Sequence, residues 1–289
     1  MAEEENLVRK IHNAVATSTD PAEASCRVQG TTPLELRLLV RDVLRKLELR
    51  SAHRVLDVGC GTGVLGVPLA RRAASYVGVD FADQAVQVLR QRLAESGLDH
   101  HAEARVMDFV AADDGELEEL GTFDRTLVYA MLHYVRSEAE GQRLVHRALA
   151  LTRPGGRILF GSLPLEELGA GVWPPSTEPR HRGRTVRWAL APHAGAAGIP
   201  VSRRWRTGHV LYARAKRGFP GLHAGANAAP PQSLPPGYVT TLSRALVEHW
   251  IESAPVRARI RWTLPQIGVP QYYSRVDLIA VRVELATQP

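Results

Sequence analysis

Apolar and polar positions along this chain switch period again and again. From His53 to Gly59 a short apolar run ends on glycine, the pattern of a buried strand. Residues 63–74 then read as a helix that must hold Pro68 in its first turns. Ser75–Asp80 is a second strand, and residues 83–98 form a helix closed by Gly97. Residues 101–109 and 124–132 are further strands. Ser137 caps a helix that runs to Thr152, and Pro154-Gly155-Gly156 turns the chain into a fifth strand over residues 157–164. Ahead of this series, Thr32 caps and Pro33 opens a helix. Its Leu36, Leu39, Val40, Val43, Leu44 and Leu47 recur at helical spacing and face the sheet. After it, residues 240–254 predict a helix with Leu242, Ala245, Leu246, Trp250 and Ile251 on one face. Two strands, 256–264 and 273–285, follow around a Pro/Gly turn. Strands alternating with helices of this length imply right-handed crossovers and an α/β fold. The expected architecture is Rossmann-like and doubly wound, a mostly parallel seven-stranded sheet with an antiparallel C-terminal hairpin.

This pattern divides the 289 residues into four parts. Residues 1–50 are an N-terminal helical segment and cap, and 51–163 a ligand-binding core. Residues 164–238 break the rhythm with Pro, Gly, Ala and Arg, and read as an insert or lid. Residues 239–289 complete the sheet. A composition of 45% hydrophobic and 23% charged residues is that of an ordinary globular chain. No apolar run approaches the ~20 residues of a membrane helix, and the acidic start, MAEEENLVRK, has no signal core. With only Cys26 and Cys60 for thiols, a cytoplasmic protein without a membrane partner is expected.

Charge changes the picture in one place. Ten basic residues against Glu178 alone give Pro175–Arg217 a local charge of +9 in a chain of net +6, so the remainder is acidic. Trp188, Trp205 and Tyr212 interleave with those arginines, as stacking platforms for bases would. A solvated loop packed loosely on the core is the plainer reading.

The chemistry concentrates in Val55-Leu56-Asp57-Val58-Gly59-Cys60-Gly61-Thr62-Gly63. A strand ends in a carboxylate and enters a Gly-x-Gly-x-Gly turn before a helix, which allows close approach of a ligand to backbone N–H groups. Asp80 ends the next strand, where a carboxylate accepts bonds from two ribose hydroxyls. Asp108 ends the third, in reach of an adenine amino group. Gly61-x-Gly63-x-x-Gly66 formally matches a dinucleotide fingerprint. Asp57, however, would repel a pyrophosphate and attract the ammonium group of a sulfonium cofactor.

VLDVGCGTG, YVGVD, VMDF, FDRTLVYAMLHYV and LTRPGGRILFGSLP together resemble the successive motifs of class I S-adenosylmethionine-dependent methyltransferases. The resemblance covers residues 30–165, and the terminal helix and hairpin agree with it. More loosely, the chain resembles methyltransferases of bacterial sugar and secondary-metabolite gene clusters. The resemblance implies S-adenosylmethionine as cofactor. Gly59, Gly61 and Gly63 would line its methionine part, with Asp57 beneath. Asp80 would hold the ribose, Phe81 would pack on the adenine, and Asp108 and Phe109 would frame it. Tyr129 would contact it through its backbone.

Methyl transfer needs an aligned acceptor and exclusion of water more than acid–base machinery. His133, after the fourth strand, is the candidate general base, and Tyr134 a candidate wall of the acceptor pocket. No metal site is legible. His100 and His101 lack spaced carboxylates, and His181, His193 and His209 are scattered. The expected function is methyl transfer to oxygen of a small-molecule acceptor such as a sugar or polyketide. An RNA methyltransferase using the arginine-rich insert, a non-catalytic cofactor-binding subunit and an NAD-dependent reductase are the competing readings. The oligomeric state is not written in the sequence.

Overall fold

The computed structural model describes residues 9, 10, 13, 16, 33–168, 199, 242–265 and 276–284. The helices are α1 (Pro33–Leu47), α2 (Gly66–Ala70), α3 (Asp83–Glu95), α4 (Asp114–Leu120), α5 (Glu138–Leu151) and α6 (Arg244–Glu252). The strands are β1 (Arg54–Val58), β2 (Ser75–Asp80), β3 (Ala102–Val106), β4 (Phe123–Tyr129), β5 (Thr152–Leu163), β6 (Ala258–Thr263) and β7 (Val276–Arg282). They form one seven-stranded sheet in the order β3-β2-β1-β4-β5-β7-β6. The first five strands pair in parallel, and β7 runs antiparallel to both β5 and β6. This is the doubly wound α/β arrangement with an antiparallel C-terminal pair that the alternation implied.

Both faces of the sheet are covered, which is why the parallel strands are nearly continuous apolar runs. Alternate residues serve opposite cores. Val55, Tyr76, Leu127 and Leu159 meet α1, α2 and α3 on one side. Leu56, Val58, Val128 and Phe160 meet α4, α5 and α6 on the other. The second core closes tightly where Gly141 of α5 meets Trp250 of α6. A Cβ at Gly141 would lie 2.3 Å from the indole, and His146 Nε2 bonds the Trp250 carbonyl at 2.9 Å. The first core carries a buried charge cluster. Lys46 Nζ donates to Asp42 Oδ2 at 2.6 Å and also to Asp277 Oδ2. Burial pushes the Asp277 carboxyl up, against the pull of the Lys46 ammonium.

Several elements differ from their predicted extents. The helix expected over 63–74 is reduced to Gly66–Ala70 because three residues of the glycine turn have left-handed backbone before it. Strand β3 stops at Val106, and Met107–Phe109 lie beyond it. The fourth strand stops at Tyr129, and Leu132–Tyr134 form a 3-10 turn instead. Helix α4, not anticipated, is set by a capping box between Asp113 and Glu116. On α6, Val247 is buried and Ala245 is exposed, so the apolar face is rotated from the expected one. Ser137 and Ser243 cap α5 and α6 through their hydroxyls. Gly97 closes α3 at φ +66°.

The ends of the insert meet at a parallel bridge between Leu165 and Leu242, where Glu166 N donates to the Leu242 carbonyl at 2.9 Å. Its arginine-rich stretch with Trp188, Trp205 and Tyr212, and the three scattered histidines, lie outside the described residues. So do Cys26, Thr32 and the turn before β7. No helix among the described residues is long and apolar enough to cross a membrane.

Candidate active site

The strand order reverses between β1 and β4, so the loops leaving their C-terminal ends diverge and open a crevice. The glycine turn after β1 forms one lip. Gly59, Gly61 and Gly63 take φ of +73°, +50° and +82°, a region that penalises any side chain. Their surroundings differ. A Cβ at Gly59 would strike the Met131 sulfur at 2.3 Å, and one at Gly63 would strike Leu89 at 2.3 Å. These two glycines serve packing. A Cβ at Gly61 would meet nothing within 4 Å, so this glycine leaves its backbone open to a ligand.

Asp80 holds that turn in place. Its Oδ2 accepts from Gly61 N at 2.8 Å and its Oδ1 from Ala82 N at 2.9 Å. The carboxylate, 7% exposed, thus joins the ends of β1 and β2 in one hydrogen-bonded unit. From behind, Arg92 of α3 donates to the Thr62 carbonyl at 2.9 Å. Asp57 is buried below the turn and accepts from the Tyr76 hydroxyl at 2.9 Å. Gly66 and Gly78 make room for that hydroxyl, which would lie 2.4 and 2.7 Å from added Cβ atoms. Burial first, and then the Asp57 charge, push the Tyr76 phenol well above its ordinary range. It stays a donor to the carboxylate at every physiological pH. Burial does the same to the Cys60 thiol, keeping it protonated.

The other expected residues divide by position. Phe81 is half-buried at the β2 end, with the Arg9 guanidinium 5.8 Å from its ring centroid. Asn13 brackets the same connection, donating to Asp83 Oδ1 at 2.7 Å and accepting from Gln84 N. Asp108 lies past β3 and turns its Oδ1 to Val110 N and Ala111 N, as a local cap. Phe109 is 4% exposed within the core of α4, α5 and α6, and so frames the loop from inside. Arg147 fixes that loop by binding the carbonyls of Phe109, Val110 and Ala112.

The second lip follows β4. Tyr129 lays its ring where a Cβ at Gly161 would sit. Ala130 then adopts φ +58° and donates its N–H to the Gly161 carbonyl at 3.0 Å. That reversal throws Met131 across to Gly59 and starts the 3-10 turn. His133 is buried in this turn, its ring 4.3 Å from that of Tyr134. Beside it on β5, Ser162 takes φ +61° and gives its N–H to Asp277 Oδ1 at 2.7 Å. Gly59, Gly61 and Asp80 thus stand at the ends of β1 and β2, and Tyr129 and His133 at and after the end of β4. Asp57 lies beneath and Phe109 behind. Among the described residues no three His, Cys, Asp or Glu side chains cluster as metal ligands would.

The sequence reading missed Tyr76, Arg92, Met131, Asp277 and Arg9. Paired small residues at Gly66 and Gly78 are a signal for Tyr76. Nothing local marks the others, because each acts across a long stretch of chain. The cofactor that the resemblance implies carries a sulfonium, a ribose diol and an amino-acid tail. The residues fit it: the open space over the Gly61 Cα leaves room for a tail, and buried carboxylates at Asp57 and Asp80 suit a cation and a diol.

Residues 55–156 match the family model described as a methyltransferase domain. Over those residues the chain is similar to that family. A ubiquinone biosynthesis O-methyltransferase from Aromatoleum aromaticum is 36% identical over 116 residues, 39% of this chain and 45% of that protein. One from Xanthomonas euvesicatoria is 33% identical over 121 residues, 42% of this chain and 47% of that protein. The chain thus spans about half the length of the curated relatives it matches. Among solved structures, phosphoethanolamine N-methyltransferase 1 of Haemonchus contortus superposes with a TM-score of 0.60 at 12% identity. That match covers 99% of this chain and 50% of the other. Magnesium protoporphyrin IX methyltransferase of Synechocystis, with bound S-adenosylmethionine, gives 0.53 at 13% identity, covering 96% and 97%. At those identities the likeness is one of fold. The shared fold is the doubly wound seven-stranded sheet with its antiparallel C-terminal pair.

Proposed function

We propose that this chain binds S-adenosylmethionine in the crevice between the glycine turn and Tyr129, and transfers its methyl group to oxygen of a small-molecule acceptor. One observation carries the reading. The only glycine of the turn with open space over its Cα, Gly61, is the one whose N–H is fixed by Asp80. When bound, the cofactor supplies a methyl group on a cationic sulfur that leaves as a neutral thioether. The chain's own groups do the rest. Asp80 holds the turn and keeps carboxylate lone pairs for a diol. Asp57 contributes negative charge below the site, where it favours a cation over a pyrophosphate. Met131 and Tyr129 close the apolar side and exclude water. His133, at the acceptor side, takes the proton of a hydroxyl as it is methylated.

Oxygen as the methylated atom rests on the O-methyltransferase relatives, whose similarity covers 39% and 42% of this chain. Titration calorimetry with S-adenosylmethionine and with S-adenosylhomocysteine tests the cofactor. Heat and a one-to-one complex are expected for both, and no complex with either ends the proposal. Transfer of a labelled methyl group to hydroxylated small molecules then tests the acceptor class. In that assay His133→Ala is expected to lower turnover by roughly 10²–10⁴-fold with cofactor affinity intact. Unchanged turnover across pH removes His133 as the base.

A further inference from the structure

A groove of about 1050 Å³ lies on the outer side of α1, away from the crevice. Its floor and one wall are apolar, from Leu36, Val40 and Leu44 of α1 to Val64, Val67 and Pro68 at the short α2. These three α1 residues recur at every fourth position and form a second apolar stripe, distinct from the buried one of Leu39, Val43 and Leu47. Arg37 and Arg41 of α1, and Arg50 and Arg72 just beyond α1 and α2, also line it. None of these four guanidinium groups makes an ion pair among the described residues. The groove's two acids are engaged already: Glu48 pairs with Arg157, and Glu95 accepts from Gln91. An apolar trough lined by arginines without ion-pair partners among the described residues is complementary to an amphipathic acidic ligand.

We propose that this groove docks an acidic amphipathic helix of a partner protein. The trough is concave between helical walls, the shape into which a helix lays one apolar face. Leu36 to Leu44 spans ~12 Å along the α1 axis at 1.5 Å per residue, and Arg50 extends the trough beyond it, a length that takes a helix of three to four turns. Glutamates flanking the apolar face of such a helix meet Arg37, Arg41, Arg50 and Arg72. Arginine's planar fork suits paired carboxylates. A second copy of the chain is disfavoured, since a two-fold contact would bring arginine against arginine. Among the described residues the lining has no aromatic side chain, which disfavours both the stacking platforms of a single-stranded nucleic acid and the aromatic anchors of a membrane surface. One end of the groove reaches Gly63, and Arg92, which holds the Thr62 carbonyl, lines it as well. The docked helix therefore rests against the back of the glycine turn.

The test uses the full chain and a fluorescently labelled synthetic 18-residue helix, with leucines at i, i+3, i+4 and i+7 and glutamates on both flanks. Anisotropy is expected to report saturable binding that Arg37→Glu with Arg41→Glu weakens ~10-fold or more. A peptide with lysines in place of the glutamates is expected to recover affinity for that variant alone. Both arginines are exposed, so unchanged S-adenosylhomocysteine binding and circular dichroism verify the fold of the variant. Equal binding of a peptide with the same composition and scrambled leucines overturns the proposal, as does binding indifferent to the charge reversal. Tighter binding of a single-stranded oligonucleotide or of phosphatidylglycerol vesicles, lost in the same variant, overturns it in favour of a phosphate-bearing partner.

Discussion

The two lips of the crevice are built on different principles. Around the glycine turn, every left-handed residue is a glycine, and the holding bonds come from residues a strand away, chiefly Asp80 to Gly61 and Ala82. Around the ends of β4 and β5, the left-handed residues are Ala130 and Ser162. Each carries a side chain into a conformation that costs roughly 1–2 kcal/mol. Long-range partners hold both: the Gly161 carbonyl for Ala130, and for Ser162 an Asp277 carboxylate itself braced by Lys46 and Asp42. One lip is conformationally cheap, while the other is strained and leans on a buried charge cluster. Strain kept at a site edge is expected where residues must be aimed with little freedom.

The sharpest way to break this contrast is to remove the brace of the strained lip. Lys46→Met leaves the buried Asp277 carboxylate without its cation and Asp42 paired with Arg45, and chemical denaturation is expected to show a loss of about 3–5 kcal/mol. A loss below about 1 kcal/mol would mean that the cluster carries no such tension. On the glycine lip, Asp80→Ala is expected to weaken S-adenosylmethionine binding ~10-fold or more, on the order of 1.5–3 kcal/mol for a hydrogen bond to a charged group. Calorimetric affinity equal to that of the unmodified chain would detach Asp80 from the ligand. Gly61→Ala separates fold from site. The left-handed backbone costs about 1–2 kcal/mol, yet nothing blocks the methyl group, so the chain folds and the larger change is in cofactor affinity. If affinity stays the same, the open side of Gly61 is not where the ligand approaches.

The smallest expected effect tests the strain itself. Ala130→Gly removes a penalty of ~1–2 kcal/mol and adds back the ~0.5–1 kcal/mol entropic cost of glycine. A slight rise in melting temperature follows, and a clear fall would contradict the strained reading. A chemical probe adds to the glycine side: Cys60, buried and held as a thiol, should alkylate far more slowly at neutral pH in the native chain than after unfolding, followed by mass spectrometry of its peptide.

Much of this organisation is written locally. The switch between short apolar runs and a 3.6-residue period fixed the strand and helix order, because strands buried on both faces and helices buried on one impose those patterns. The glycine turn and the acids at strand ends were legible for a similar reason. Left-handed backbone calls for glycine, and a carboxylate at a strand end accepts nearby backbone N–H groups, as Asp80 and Asp108 do. Boundaries were less legible. The shortening of the helix after the turn and the end of β4 at Tyr129 both follow from left-handed backbone, which the sequence marks where glycine supplies it and conceals at Ala130.

What only the tertiary structure decided is what lies across the chain. Lys46 meets Asp277 over more than two hundred residues, Met131 closes over Gly59, and Arg92 reaches behind Thr62. Phe109 turns inward to the core, although the phenylalanine at the end of β2 stays at the edge. No local pattern encodes such pairings. A buried ion pair or a side chain lodged over a glycine is selected by the shape of the assembled core, which exists only after the strands have taken their order.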